Sequence, residues 1–138
     1  MNIRNQLCLT GVAATAATLL GAPIPVGADA ALAPVLALAQ RAWGAPRADR
    51  VLLYNPDAIA LWLYQQYTTR FAPMLPEVQL CLPMRSVMPS VTPVCFASMY
   101  SGLMPEAHGI TAYEKPVLSC DTLFDALLRA GRRPAIVS

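Results

Sequence analysis

At 138 residues the chain can hold one domain or part of one, and 56% hydrophobic with 13% charged residues describe a well-buried α/β protein. A net charge of +2, with nine scattered arginines and one lysine, is too weak to hold nucleic acid or an anionic membrane. Thirteen prolines cut the chain into short elements and exclude a long helical bundle. Cys8, Cys81, Cys95 and Cys120 form no C-x-x-C pair and have one histidine to join them, so buried free thiols are expected rather than a structural zinc site.

The first thirty residues allow two readings. Arg4, an apolar run and the small residues Ala28-Asp29-Ala30 resemble a signal peptide with cleavage after Ala30. Thr10, Gly11, Thr15 and Thr18 dilute that run, and Pro23 and Pro25 follow it, which suits an uncleaved apolar helix packed on the domain. Cytoplasmic placement is favoured over export, and no stable membrane span is expected. From Ala30 to Ala42 the pattern predicts a helix ended by Gly44 and Pro46.

At Val51 the period changes. Val51-Leu52-Leu53-Tyr54 is a continuous apolar run of the kind that forms a strand buried on both faces. Asn55-Pro56-Asp57 is turn chemistry, and a helix is predicted from Asp57 with Ile59, Trp62, Leu63 and Tyr67 on one face. Asp57 thus stands at the end of a parallel strand, the edge where open α/β sheets bind ligands, or serves only as the helix N-cap.

"VQLCLPMRS" can supply a second strand, with Pro83 marking an irregular end. Thr92 is then placed as an N-cap and Pro93 at the first helical position, where its missing N–H costs nothing. Val94, Ala97, Met99 and Tyr100 carry the helix, and Gly102 can close it in the left-handed conformation. The unpaired N–H groups at such a start favour an anion beside the Thr92 hydroxyl. Geometry leaves open an ordinary capped helix or a nucleophile over an anion site. "SCDTLFDALLRAG" predicts a last helix, capped by Ser119 or Asp121 and stopped by Gly131, with Leu123, Phe124, Leu127 and Leu128 on one face. "RRPAIVS" begins another buried strand. The alternation of strand and helix points to an α/β fold with a mostly parallel sheet flanked by helices.

"PSVTPVCFASMYSGLMPEAHGI" resembles the nucleophile region of the alkaline phosphatase superfamily, in its type I phosphodiesterase and nucleotide pyrophosphatase branch. In that family a Thr or Ser opens a helix, a Thr/Ser-Gly pair follows ten residues on, and then Pro-x-x-His-Gly-Ile/Val. These features fall on Thr92, Ser101-Gly102 and Pro105 to Ile110. "VLLYNPDAIA" is similar to the family's first strand, whose terminal metal-binding Asp matches Asp57, although the family has Asp-Gly where this chain has Asp57-Ala58. The likeness covers residues 50–138.

The resemblance implies an alkaline-phosphatase-like core, incomplete toward its C-terminus, over residues 46–138, preceded by an apolar segment over 1–45. It implies a metal-dependent hydrolase of small phosphate esters with Thr92 as nucleophile, and Asp57 and Thr92 as ligands of two divalent cations, zinc in this branch. The other ligands are absent, so the 138 residues alone are expected to be inactive. His108 is assigned a structural role, because the family's metal-binding histidines lie further along the chain. Two alternatives stand beside this reading. "CLPMR" fits the C-x-P-x-R signature of sulfatases and would make Cys81 the nucleophile, but the Thr-Gly pair expected nine and ten residues later falls on Ser90-Val91. That favours Cys81 as a buried strand residue. The other alternative is a non-catalytic fragment that docks on a partner. The sequence does not specify an oligomeric state.

Overall fold

The computed structural model describes residues 7–137. Their helices, in chain order, are α1 (Gly11–Leu19), α2 (Ala33–Trp43), α3 (Leu61–Gln66), α4 (Thr68–Phe71), α5 (Thr92–Ser101), α6 (Pro105–His108) and α7 (Leu123–Arg129), with a 3-10 turn at Leu75–Glu77. The chain divides into two units. One joins the residues up to Val51 to those from Met84 onward, and the other is Leu52–Pro83.

The first unit is organised on α1, which packs on α2, α5 and α7. Its sequence GVAATAATL is almost all small residues, and Ala13, Ala14 and Ala17 are fully buried. Small side chains let neighbouring elements approach closely, and Gly11 shows how closely. A Cβ there would lie 2.8 Å from Leu32 Cδ2. Ala13, Ala16 and Ala17 form one apolar cluster with Leu123 and Leu127 of α7. Threonines within the run do not disturb it, because each is satisfied. Thr15 Oγ1 donates to Gly11 O at 2.6 Å and accepts the Leu32 N–H at 2.7 Å, while Thr10 Oγ1 donates to Asp29 at 2.6 Å.

A second cluster, Val87, Val94, Ala97 and Ile110, lies under α5, with Cys8, Leu9, Val91, Cys95 and Leu118 packed against it. Cys8 and Arg85 form an isolated parallel bridge, in which Leu9 N–H donates to Arg85 O at 3.0 Å and Arg85 N–H to Leu7 O at 2.8 Å. α7 is capped by Thr122 rather than by Ser119 or Asp121. Thr122 and Asp125 form a reciprocal capping box, which satisfies two orphan N–H groups of the first turn. Asp121 instead takes a bidentate contact from Arg129 at 2.6 and 2.7 Å and accepts the Val26 N–H at 2.9 Å. The Arg129 guanidinium accordingly holds the Asp121 carboxyl below its ordinary pKa. Of the expected apolar face, Leu123 and Leu127 are buried but Leu128 points outward.

The second unit buries no residue of α3 or α4. The helix expected from Asp57 begins at Leu61 instead, with Ala60 as its N-cap, because Ala58 turns the chain in the left-handed region at φ 57°. The predicted face of Ile59, Trp62 and Tyr67 is exposed.

The predicted parallel sheet is not found among the described residues, whose one strand-like pairing is the Cys8–Arg85 bridge. Val51–Tyr54, the 78–86 segment and the run before Ser138, itself outside the described residues, form no ladder. Leu52 is 90% exposed and Val137 99%. A run composed for burial on both faces becomes a strand only when neighbouring strands supply hydrogen bonds and helices cover its faces. Cys81, expected inside a strand, is exposed for the same reason, and all four thiols are free.

Two backbone positions give direct tests. Gly102 closes α5 at φ 77°, and a Cβ there would collide with Ala28 Cβ. Gly102→Ala combines left-handed strain of about 1–2 kcal/mol with that clash and should lower stability by at least about 2 kcal/mol in urea unfolding. Ala58 carries the same strain without a glycine. Ala58→Gly should raise stability, by about 0.5–1 kcal/mol after the greater freedom of the unfolded chain is deducted.

Candidate functional site

The start of α5 differs from the expected cap by one residue. Val91 is the N-cap, with extended backbone at φ −116° and ψ 152°, and its carbonyl receives the Cys95 N–H at 3.0 Å. Thr92 is therefore the first helical residue and Pro93 the second. The shift matters for chemistry, because an N-cap hydroxyl is spent on the N–H groups of its own helix. Among the described residues no hydrogen bond engages the Thr92 hydroxyl, which sits half-buried at the positive end of the helix. Pro93 contributes no N–H, and no turn or cap bond takes up those of Thr92 or Val94.

The loop leading into α5 is tied to its first turn by side chains. Ser86 Oγ lies 2.9 Å from Ser90 Oγ and 3.3 Å from Cys95 Sγ. At the far end Gly102 donates its N–H to Ser98 O at 2.9 Å and accepts the Asp29 N–H at 2.9 Å. Ser101 Oγ donates to Ala97 O at 2.7 Å and accepts the Leu103 N–H at 3.1 Å. The helix that carries Thr92 is thus held at both ends by the first unit.

His108 is buried, at 5% exposure, and its Nε2 lies 2.8 Å from the Oγ of the fully buried Ser98. The Ile110 N–H donates to its Nδ1 at 3.2 Å. Burial holds the imidazole below its ordinary pKa, against a backbone hydrogen bond and the attraction of Glu106, which raise it. Both ring nitrogens are engaged inside the protein, which agrees with the structural role expected for His108. Ser98, its partner, carries no signal in the sequence. It is one serine in an apolar helix, and only the fold brings it to the ring.

Asp57 lies in the second unit and Thr92 in the first. Asp57 is exposed, and its Oδ1 accepts the Ala58 N–H at 3.0 Å, so it caps the local turn and not α3. Cys81 is in the second unit too, with a free, exposed thiol. An open groove of that unit is lined by Leu63, Tyr67, Arg70 and Phe71 and includes none of the expected site residues. Among the described residues no three His, Cys, Asp or Glu side chains gather as a metal-binding group, and no helix is long and apolar enough to cross a membrane.

Neither a curated protein nor a solved structure matches the chain. A family model does, that of the type I phosphodiesterase / nucleotide pyrophosphatase family, over residues 56–119. The matched stretch contains Asp57, the whole of α5 and the Pro105–Ile110 loop, and stops before α7. Over that stretch the chain is similar to this family.

Proposed function

We propose that this chain carries the nucleophile segment of a phosphate-ester hydrolase and that Thr92 is the nucleophile. The family match supports a hydrolase of this kind, and one observation supports the residue. Thr92 is the hydroxyl at the first position of α5 that is left uncommitted, because Val91 takes the cap. In this reading Thr92 Oγ1 gives up its proton to solvent as it attacks phosphorus, an O–P bond forms, and the bond from phosphorus to the leaving alcohol breaks as the alcohol takes up a proton from solvent. Water then displaces the threonine oxygen and releases the phosphate monoester. The backbone dipole of α5 favours the negative charge that accumulates at its start.

The family is generally metal-dependent, and the described residues do not fit a metal pair. A two-metal site draws several carboxylates and imidazoles onto ions about 4 Å apart. Here Asp57 and Thr92 are the two family ligand positions, the chain's one histidine is bonded to Ser98, and no acidic cluster forms. Asp57 remains in this reading a candidate ligand, zinc the candidate ion, and the other ligands come from outside these residues. The apolar runs at 51–54 and 134–137 take strand positions in an alkaline-phosphatase-like sheet when further strands pair with them.

Two measurements test this. In an active preparation containing this segment, Thr92→Ala should lower phosphodiester turnover by several orders of magnitude and Thr92→Ser should retain part of it. Full activity in a folded Thr92→Ala protein sinks the assignment. Cys81→Ser should leave turnover unchanged, and its inactivity would restore the sulfatase reading. Calorimetric titration of the 138-residue chain with zinc, beside an assay on a nitrophenyl phosphodiester, should show weak binding and no turnover. Tight binding of two ions would show that these residues build the metal centre themselves.

A further inference from the structure

The environment of His108 specifies which ring nitrogen carries the proton. Nδ1 accepts the Ile110 N–H, so its lone pair is in use and the proton resides on Nε2, from which it is donated to Ser98 Oγ. A backbone donor two residues away and a side chain ten residues back are thereby closed onto one neutral imidazole. Ile110 itself is buried in the cluster beneath α5.

We propose that His108 is an acid-sensitive latch between the 108–110 turn and α5. A second proton, taken from solvent onto Nδ1, removes the acceptor of the Ile110 N–H, sets two donors against each other and places a charge at a buried position. The turn then opens and Ile110 leaves its cluster.

Little around the ring can offset that charge. α5, which packs on α6, has no carboxylate and no Lys, Arg or His; its titratable side chains are the Cys95 thiol and the Tyr100 phenol. α6 itself contributes Glu106, which is exposed. The partly buried residues packed against the Ile110 cluster are Cys8, Leu9, Val91, Cys95 and Leu118, none of them a carboxylate. The folded pKa lies below the unfolded one. The stabilisation from the latch is therefore complete above the ordinary histidine value of about 6.5 and is lost as pH falls below it. The hinge is Gly109, at φ 82° with nothing within 4 Å of a Cβ position, so the turn has room to move.

The latch stands whether or not Thr92 is a nucleophile. It acts on α5 at Ser98, six residues or about 9 Å along the axis from Thr92, and so also bears on how firmly that residue is held.

Because His108 is the one histidine, ¹⁵N-histidine labelling of the 138-residue chain gives an unambiguous signal. At neutral pH the shifts should be those of the Nε2–H tautomer. Hydrogen exchange at Ile110, corrected for its intrinsic pH dependence, should quicken by more than about tenfold between pH 7 and pH 5, while amides of α7 change far less. Ser98→Ala removes one bond to the ring and leaves the Ile110 contact, and should bring forward the acid opening to a higher pH. An Nδ1–H tautomer at neutral pH, or Ile110 exchange that does not respond to pH while the ring titrates, overturns the proposal.

Discussion

The first unit depends on the close packing that α1 permits. An alanine-rich helix gains little from any one side chain, so its value lies in what it lets approach. Ala13, Ala16 and Ala17 admit Leu123 and Leu127, and the same helix supports α5. A larger residue on these faces would hold α7 away and uncover the leucines. The polar atoms introduced by Thr10 and Thr15 are bonded to Asp29, Gly11 and Leu32, which fixes the chain from 29 to 32 against the helix. The small-residue helix α1 is thus the centre of this unit's core.

From that support the geometry of α5 follows. Gly102 touches Ala28, its carbonyl receives the Asp29 N–H, and Ser98 meets His108. Fixed points lie at both ends, through Ser86, Ser90 and Cys95 at the start and through Ser98 and Gly102 toward the C-terminal half. The opposite end begins at an extended valine and offers a threonine with a free hydroxyl. A helix held at both ends, with a threonine hydroxyl left open at its start, suits the nucleophile role proposed for Thr92, since misplacement of an attacking atom by an ångström is costly in rate.

Local chemistry was legible in the sequence and partnership was not. Gly44, Gly102 and Gly131 were expected as helix stops, and all three have positive φ. The helix between Thr92 and Gly102 was also readable, because proline and glycine punctuate it from both sides. Its cap was misread by one residue, since Val91 has no cap signature and takes the position through backbone conformation alone. Thr122 was missed as a cap because Asp121 and Ser119 compete with it on composition, and what separates them is Arg129, eight residues on from Asp121. The strands failed for a different reason. Apolar runs such as Val51–Tyr54 record that burial is intended without naming what does the burying, and Leu52 meets solvent here. For the site, the motif around Thr92 was legible because its spacing is unusual, and the recognition holds over residues 56–119.

The same distinction separates the nucleophile motif from the metal chemistry. A nucleophile loop is local, since a dozen consecutive residues set its helix, its cap and its exit turn. A metal pair is the reverse, because it requires charged side chains from distant segments to converge, and each is costly to bury until the ion arrives. Eight carboxylates and one histidine spread over 138 residues show no such convergence among the described positions. Asp57 illustrates the point, for its Oδ1 is occupied by its own turn, at a backbone angle where the family has glycine and this chain has alanine. An aspartate already satisfied by its neighbour's N–H still keeps a second oxygen and a negative charge, so it can act as a ligand, but it contributes one donor where a divalent ion needs four or more. In the reading proposed above, whatever completes the coordination would bring most of the charge with it, and the metal affinity would belong to the assembled site rather than to the segment that holds Thr92.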